Sequence, residues 1–125
     1  MKIRSNMTTE EVKNTFHNHY PMLKIEFYNK EHGNNEISSN KNLITEEVTL
    51  DYLNPDLNDG ELSLNENIKV SDFEKLMEDY FGLYVQVFRK SGDQWLQTSI
   101  TDSWTLGKQE AKGESLDKFL NAQKE

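Results

Sequence analysis

Apolar and polar positions alternate along this chain in two different rhythms. Val12, Phe16, His19 and Tyr20 fall on one face at helical spacing. From Leu23 to Phe27 the period drops to two, with Leu23, Ile25 and Phe27 on one side and Lys24, Glu26 and Tyr28 on the other. The switch predicts a helix followed by a half-buried strand. Thr8 and Glu11 have the spacing of a capping box at the helix start, Met7 and Val12 are placed for a hydrophobic staple, and Pro21 stops the helix. The succession then returns. Phe73, Leu76, Met77, Tyr80 and Phe81 follow a Ser71/Glu74 box, Gly82 ends that helix, and Leu83, Val85 and Val87 alternate with Tyr84, Gln86 and Phe88.

Each predicted strand is followed by turn chemistry. Glu31, His32 and Gly33 read as a three-residue hairpin loop with Gly33 in the left-handed conformation, leading to a return strand over about 35–40. Ser91 and Gly92 turn the later strand back through 95–98. Segment 20–30 matches 80–90 at a constant offset of 60, and 44–50 and 100–106 share the tail I-T-[ED]-x-[VW]-T-L. A repeat of this kind reorganises the whole reading. It predicts an α+β domain of two pseudo-symmetric helix-hairpin (αββ) units. Their strands join one antiparallel sheet, and the helices pack on the face carrying Leu23, Ile25, Phe27, Leu83, Val85 and Val87. Chance similarity generated by alternation is the competing explanation. The expected layout is a single domain over 1–125, with repeat one at about 8–50, a connector at 51–67, repeat two at 68–106 and a helical tail at 107–125. In that tail Leu116, Phe119 and Leu120 make one short apolar stripe.

The run Val85 to Gly92, then Trp95, Leu96, Thr98, Thr101, Asp102 and 104–106, resembles a signature of a small, functionally uncharacterised family of single-domain proteins from Bacteroidetes bacteria. The likeness covers about the last third of the chain and the second helix. It implies a bacterial origin and attaches no activity.

Charge narrows the partners. The formal net charge is -8, which repels a phosphate backbone, and no basic stripe overrides it, so nucleic acid is not an expected partner. Apolar residues are only 34% of the chain, yet aromatics at 10% point to an ordered, thin, aromatic core. Without cysteine there is no disulfide, zinc-thiolate site or thiol nucleophile. No apolar run approaches the roughly 20 residues of a membrane span, and the basic N-terminal residues are not followed by an apolar signal core. A cytoplasmic location and no membrane partner are therefore expected.

Motifs of chemistry are sparse. His17 and His19 are two apart on a helix and so point about 200 degrees away from each other, which does not suit one metal ion. Residues 46–66 hold seven carboxylates and no lysine or arginine. Placing Gly60 and Glu66 at positions 6 and 12 of a calcium loop leaves Pro55 and Leu57 at positions 1 and 3, where side-chain oxygens are required. No phosphate-binding glycine loop or nucleophile elbow is present, and no cofactor is expected.

The second hairpin is the candidate surface. A turn at Ser91 and Gly92 sets Phe88 opposite Trp95 and Gln86 opposite Gln97, with Tyr84 next along, an aromatic face interleaved with glutamine as binding surfaces are. Leu116, Phe119 and Leu120, or Trp104, could instead cover it. The leading expectation is a non-catalytic protein-binding or adaptor module, or a self-associating one, using Tyr84, Gln86, Phe88, Trp95, Gln97 and Trp104. The rival is a small-molecule or metal-dependent enzyme with a cleft between the repeats, built on Asp102 with His19 or Glu47.

Overall fold

The computed structural model describes residues 1–30, 33 and 35–123. It is α+β. In chain order the elements are β1 (Lys2–Ile3), α1 (Thr9–His19), β2 (Leu23–Tyr28), a 3₁₀ turn (Asn40–Asn42), α2 (Leu50–Leu53), β3 (Gly60–Glu61), α3 (Val70–Phe81), β4 (Tyr84–Ser91), β5 (Gln94–Gln97) and α4 (Leu106–Gln123). Two antiparallel sheets form, β1-β3 and β2-β4-β5.

α1 starts where the sequence indicates, with the Thr8 hydroxyl accepting from the Glu11 amide at 3.2 Å. α3 does not. Its first residue is Val70, its cap Lys69 makes no side-chain bond, and Ser71 lies inside the helix. The expected Ser71/Glu74 box is absent because Glu74 turns inward, where its carboxylate accepts from the Val87 amide at 2.8 Å. β5 ends at Gln97 and leaves that amide without a strand partner, and a carboxylate satisfies it instead. Gly82 closes α3 with φ 62, its amide returning to Glu78 and the Leu83 amide to Met77.

Val12 and Phe16 of α1 and Phe73 and Met77 of α3 share one core with Leu23, Ile25, Phe27, Leu83, Val85 and Val87. Phe16 and Phe73 meet with ring centres 5.2 Å apart. Ile3 is drawn into the same core because β1 pairs with β3, so part of the acidic connector is a short ladder.

The expected first hairpin is not formed. Part of its loop, Glu31 and His32, lies outside the described residues. Residues 35–39 carry no strand, and the left-handed position is Asn35, φ 62, in place of Gly33. β2 pairs with β4, Ile25 opposite Val87, and at its outer edge Phe27 accepts from the Ile44 amide. The order is therefore helix and strand in the first half against helix and hairpin in the second.

The two I-T tails end in similar joints. Thr9 donates to Val48 and Leu50 donates to Met7, tying the starts of α1 and α2 together, while Val70 donates to Trp104 and Leu106 to Ile68, tying α3 to α4. α4 is longer than the apolar stripe suggested. Its buried positions are Leu106, Gln109 and Gly113, and at Gly113 an added Cβ would press on Met22 Cβ at 2.7 Å, so the helix lies close against the strand start.

Candidate functional site

The expected binding face is brought together only in part. The turn of the β4-β5 hairpin is Gly92 and Asp93, one residue later than expected, so Phe88 pairs with Gln97 and Lys90 with Trp95. Moving a turn by one residue moves the pairing by two, and side-chain parity survives. Phe88, Trp95 and Gln97 therefore stay on one face. Lys24 stands over this row, its ammonium 5.2 Å from the centres of both the Phe88 and the Trp95 rings.

α1 closes one side of the row. His17 meets Trp95 edge-on at 5.9 Å, and its Nδ1 donates to the Leu23 carbonyl at 2.8 Å, capping the outer edge of β2. Lys13 reaches Glu26 at 2.8 Å. Lys13, Asn14, His17, Lys24, Ile25 and Trp95 enclose a groove of about 190 Å³.

The far side of the row is covered by the chain itself. The Ser38 hydroxyl donates to Gln86 at 3.0 Å, its amide donates to Gln97 at 2.8 Å, and Gln97 returns a bond to the Ser38 carbonyl at 2.8 Å. Gln86 is fully buried as a result. This strand face thus carries the irregular return of residues 35–39, in place of the Leu116, Phe119 and Leu120 stripe or Trp104 that the sequence offered as its cover. Ile37, next to Ser38, is 72% exposed.

Tyr84 and Trp104 lie elsewhere. Tyr84 pairs with Tyr28 at the far end of β4. Trp104 sits between Lys108, 4.1 Å from its ring centre, and Arg89, at 5.8 Å, and Arg89 alternates to the opposite side of β4 from Phe88. Gln109 links this cluster inward, accepting from Arg89 at 2.7 Å and donating to the Thr101 hydroxyl at 2.8 Å. Burial holds the Arg89 guanidinium below its ordinary pKa. α4 packs beside Arg89, with Leu120 lying where a side chain added at Gly92 would meet it, and Phe119 remains exposed.

The residues of the rival enzyme are also dispersed. His19 lines a cleft of about 660 Å³ with Tyr20, 63–66, Gly107, Glu110, Ala111 and Glu114. Asp102 and Glu47 do not line it. Asp102 is buried, accepting from the Asn35 amide at 2.9 Å and, through its carbonyl, from Ser71. Among the described residues no three His, Asp or Glu side chains are placed to hold a metal ion, and no helix is long and apolar enough to cross a membrane.

Sequence reasoning missed the partners of Trp95. His17 and Lys24 were assigned to a helix and to a polar strand face, and only the β2-β4 register brings them to β5. No protein-family model, curated protein or solved structure matches the chain.

Proposed function

We propose that the protein is a non-catalytic binding module that recognises a protein partner at the groove around Trp95. The observation that carries this reading is the set of groups at that groove. A half-buried indole is held between His17 and Lys24 beside Phe88, and exposed Ile37 stands outside the groove, next to Ser38 on the far side of the row. Rigid aromatics at the centre of a patch supply contact area at low entropic cost, and they dominate binding where they become desolvated. Lys24 and His17 favour a partner that offers an apolar side chain next to a carboxylate.

Affinity capture with the purified chain tests this. The expected result is a protein retained by the parent, lost with Trp95→Ala and with Ile37→Asp, and kept with Phe119→Asp, which changes an exposed apolar residue on α4. Equal capture by all four chains removes the groove from consideration. Sedimentation of the same set identifies self-association, since a dimer that Trp95→Ala dissociates makes the partner a second copy.

The two halves are further proposed to be pseudo-symmetric products of duplication. The paired helix starts support this: the Val48-Thr49-Leu50 and Trp104-Thr105-Leu106 tails each begin a helix and bond to the start of the helix that opens their own half. The resemblance of segment 85–106 to a Bacteroidetes family supports a bacterial origin.

A further inference from the structure

The β2-β4-β5 sheet has one closed edge and one open edge. The Lys90 amide donates to Met22 and the Thr98 amide to Val87, which fixes the phase of both ladders. Main-chain groups alternate in direction along an antiparallel strand. Leu96 therefore turns its amide and carbonyl toward Arg89, and Trp95 and Gln97 turn theirs outward. β5 is the last strand of the sheet, and among the described residues no hydrogen bond reaches those outward groups.

The opposite edge is closed by the chain itself. On β2 the outward carbonyls of Leu23 and Phe27 accept from His17 and from the Ile44 amide. Edge strands in general are blunted by lysine, proline, a bulge or a covering segment. Gln94–Gln97 holds no charged residue and no proline, and only its length of four residues limits pairing. The return at 35–39 bonds to the Gln97 side chain through Ser38 and leaves the main chain of β5 open.

Resting on Trp95 as a protein contact, we propose that β5 is the pairing edge for an extended, acidic segment of the partner, which adds to the sheet beside Trp95 and Gln97. Main-chain bonds supply affinity in such an addition, and side chains at alternate positions supply selectivity. The partner residue across from Trp95 shares the indole's face of the sheet and packs on it, while its neighbours point to the face of Leu96, which is 42% exposed. Charge selects the acidic segment. Lys24 stands over Trp95, and its neighbour Glu26 is 4.0 Å away and already held by Lys13 at 2.8 Å. Lys90, across the ladder from Trp95, adds a second cation, 3.6 Å from Asp117. A second copy of the chain fits less well, because its β5 brings no carboxylate to these lysines and each copy carries a charge of -8.

The test is selection of short random peptides by display on the purified intact chain, with the selected peptide then synthesised and its affinity measured by fluorescence anisotropy. The expected peptides carry aspartate or glutamate together with β-branched or aromatic residues. Gln97→Pro deletes one outward amide and spares the Leu96 ladder bonds, so it weakens binding about fivefold or more relative to Gln97→Ala, which loses the same side-chain bonds to Ser38. On the unaltered chain, N-methylation of alternate peptide amides gives the matching contrast: one phase weakens binding about tenfold or more and the other leaves it unchanged. Peptide binding should also slow deuterium exchange at the Trp95 and Gln97 amides, with Leu96 protected throughout. Circular dichroism verifies the fold of each variant. Equal effects of the two methylation phases overturn the edge pairing, as do equal affinities of Gln97→Pro and Gln97→Ala, unchanged exchange at Trp95 and Gln97, or selection of no binder or of basic peptides. Sedimentation showing that the chain pairs with itself through these amides overturns it in favour of a second copy. Trp95→Ala separates this inference from the groove: binding lost with Trp95→Ala but not with Gln97→Pro keeps the groove and removes the edge, and binding lost with neither removes both.

Discussion

At the scale of single residues, the buried hydroxyls are the most testable feature. Tyr28 is 3% exposed and its hydroxyl has no partner. Burial first, then Glu26 and Glu74, pushes its pKa from 10.0 up to about 12. Between those values the unfolded chain ionises at this position and the folded chain does not. The folded state therefore loses stability as pH rises from 10 toward 12, and below 10 this group adds no pH dependence. Tyr28→Phe should flatten that alkaline loss. At pH 8 it should leave stability unchanged or raise it by up to about 1 kcal/mol, since an unbonded hydroxyl costs burial without return. Urea midpoints at pH 8 and pH 11 measure both effects. A loss of more than about 2 kcal/mol at pH 8 would mean that the hydroxyl has a strong partner after all.

At the scale of elements, two glycines have the same backbone angle and different surroundings. Gly82 ends α3 at φ 62 and Gly92 turns the β4-β5 hairpin at φ 64. Alanine at either position incurs the left-handed penalty of roughly 1–2 kcal/mol. At Gly92 the new methyl would lie 3.5 Å from Leu120, an ordinary contact. At Gly82 it would collide with the Asn54 amide, which donates to the Phe81 carbonyl at 2.8 Å and so satisfies the helix end. Gly82→Ala should therefore destabilise by about 1 kcal/mol or more beyond Gly92→Ala, because a buried bond is disturbed as well. Equal urea midpoints for the two variants would sink that argument. Most of the elements legible in the sequence were those whose buried face is apolar, α1, α3, β2 and β4, whereas β5 has no buried residue and was legible from its turn. α4 hid its extent because its buried side is Leu106, Gln109 and Gly113, a leucine, a hydrogen-bonded amide and a close contact. Residues 35–39 misled for the converse reason. Their polar alternation resembled a strand, whereas Ser38 bonds to side-chain amides on the face of the sheet.

At the scale of the whole molecule, what the sequence withheld was long-range register. The aromatic row of Phe88 and Trp95 was readable from parity alone, but Lys24 enters it only because β2 pairs with β4, and His17 only because α1 covers the edge of β2. The cleft at Tyr20 was unreadable for the same reason, since Glu66 and Glu110 reach it from different elements. The joined helix starts also operate at this scale. First-turn amides ordinarily lack intrahelical acceptors and exchange fast with solvent. Here Thr9 and Leu50 are held by each other's preceding strand of backbone, as are Val70 and Leu106. Deuterium uptake should therefore show these four amides protected, with near-equal opening free energies within each pair, since releasing one helix start releases its mate. Each joint acts as a clasp between distant stretches of chain, so local fraying at one helix is recorded at another more than 30 residues away in sequence.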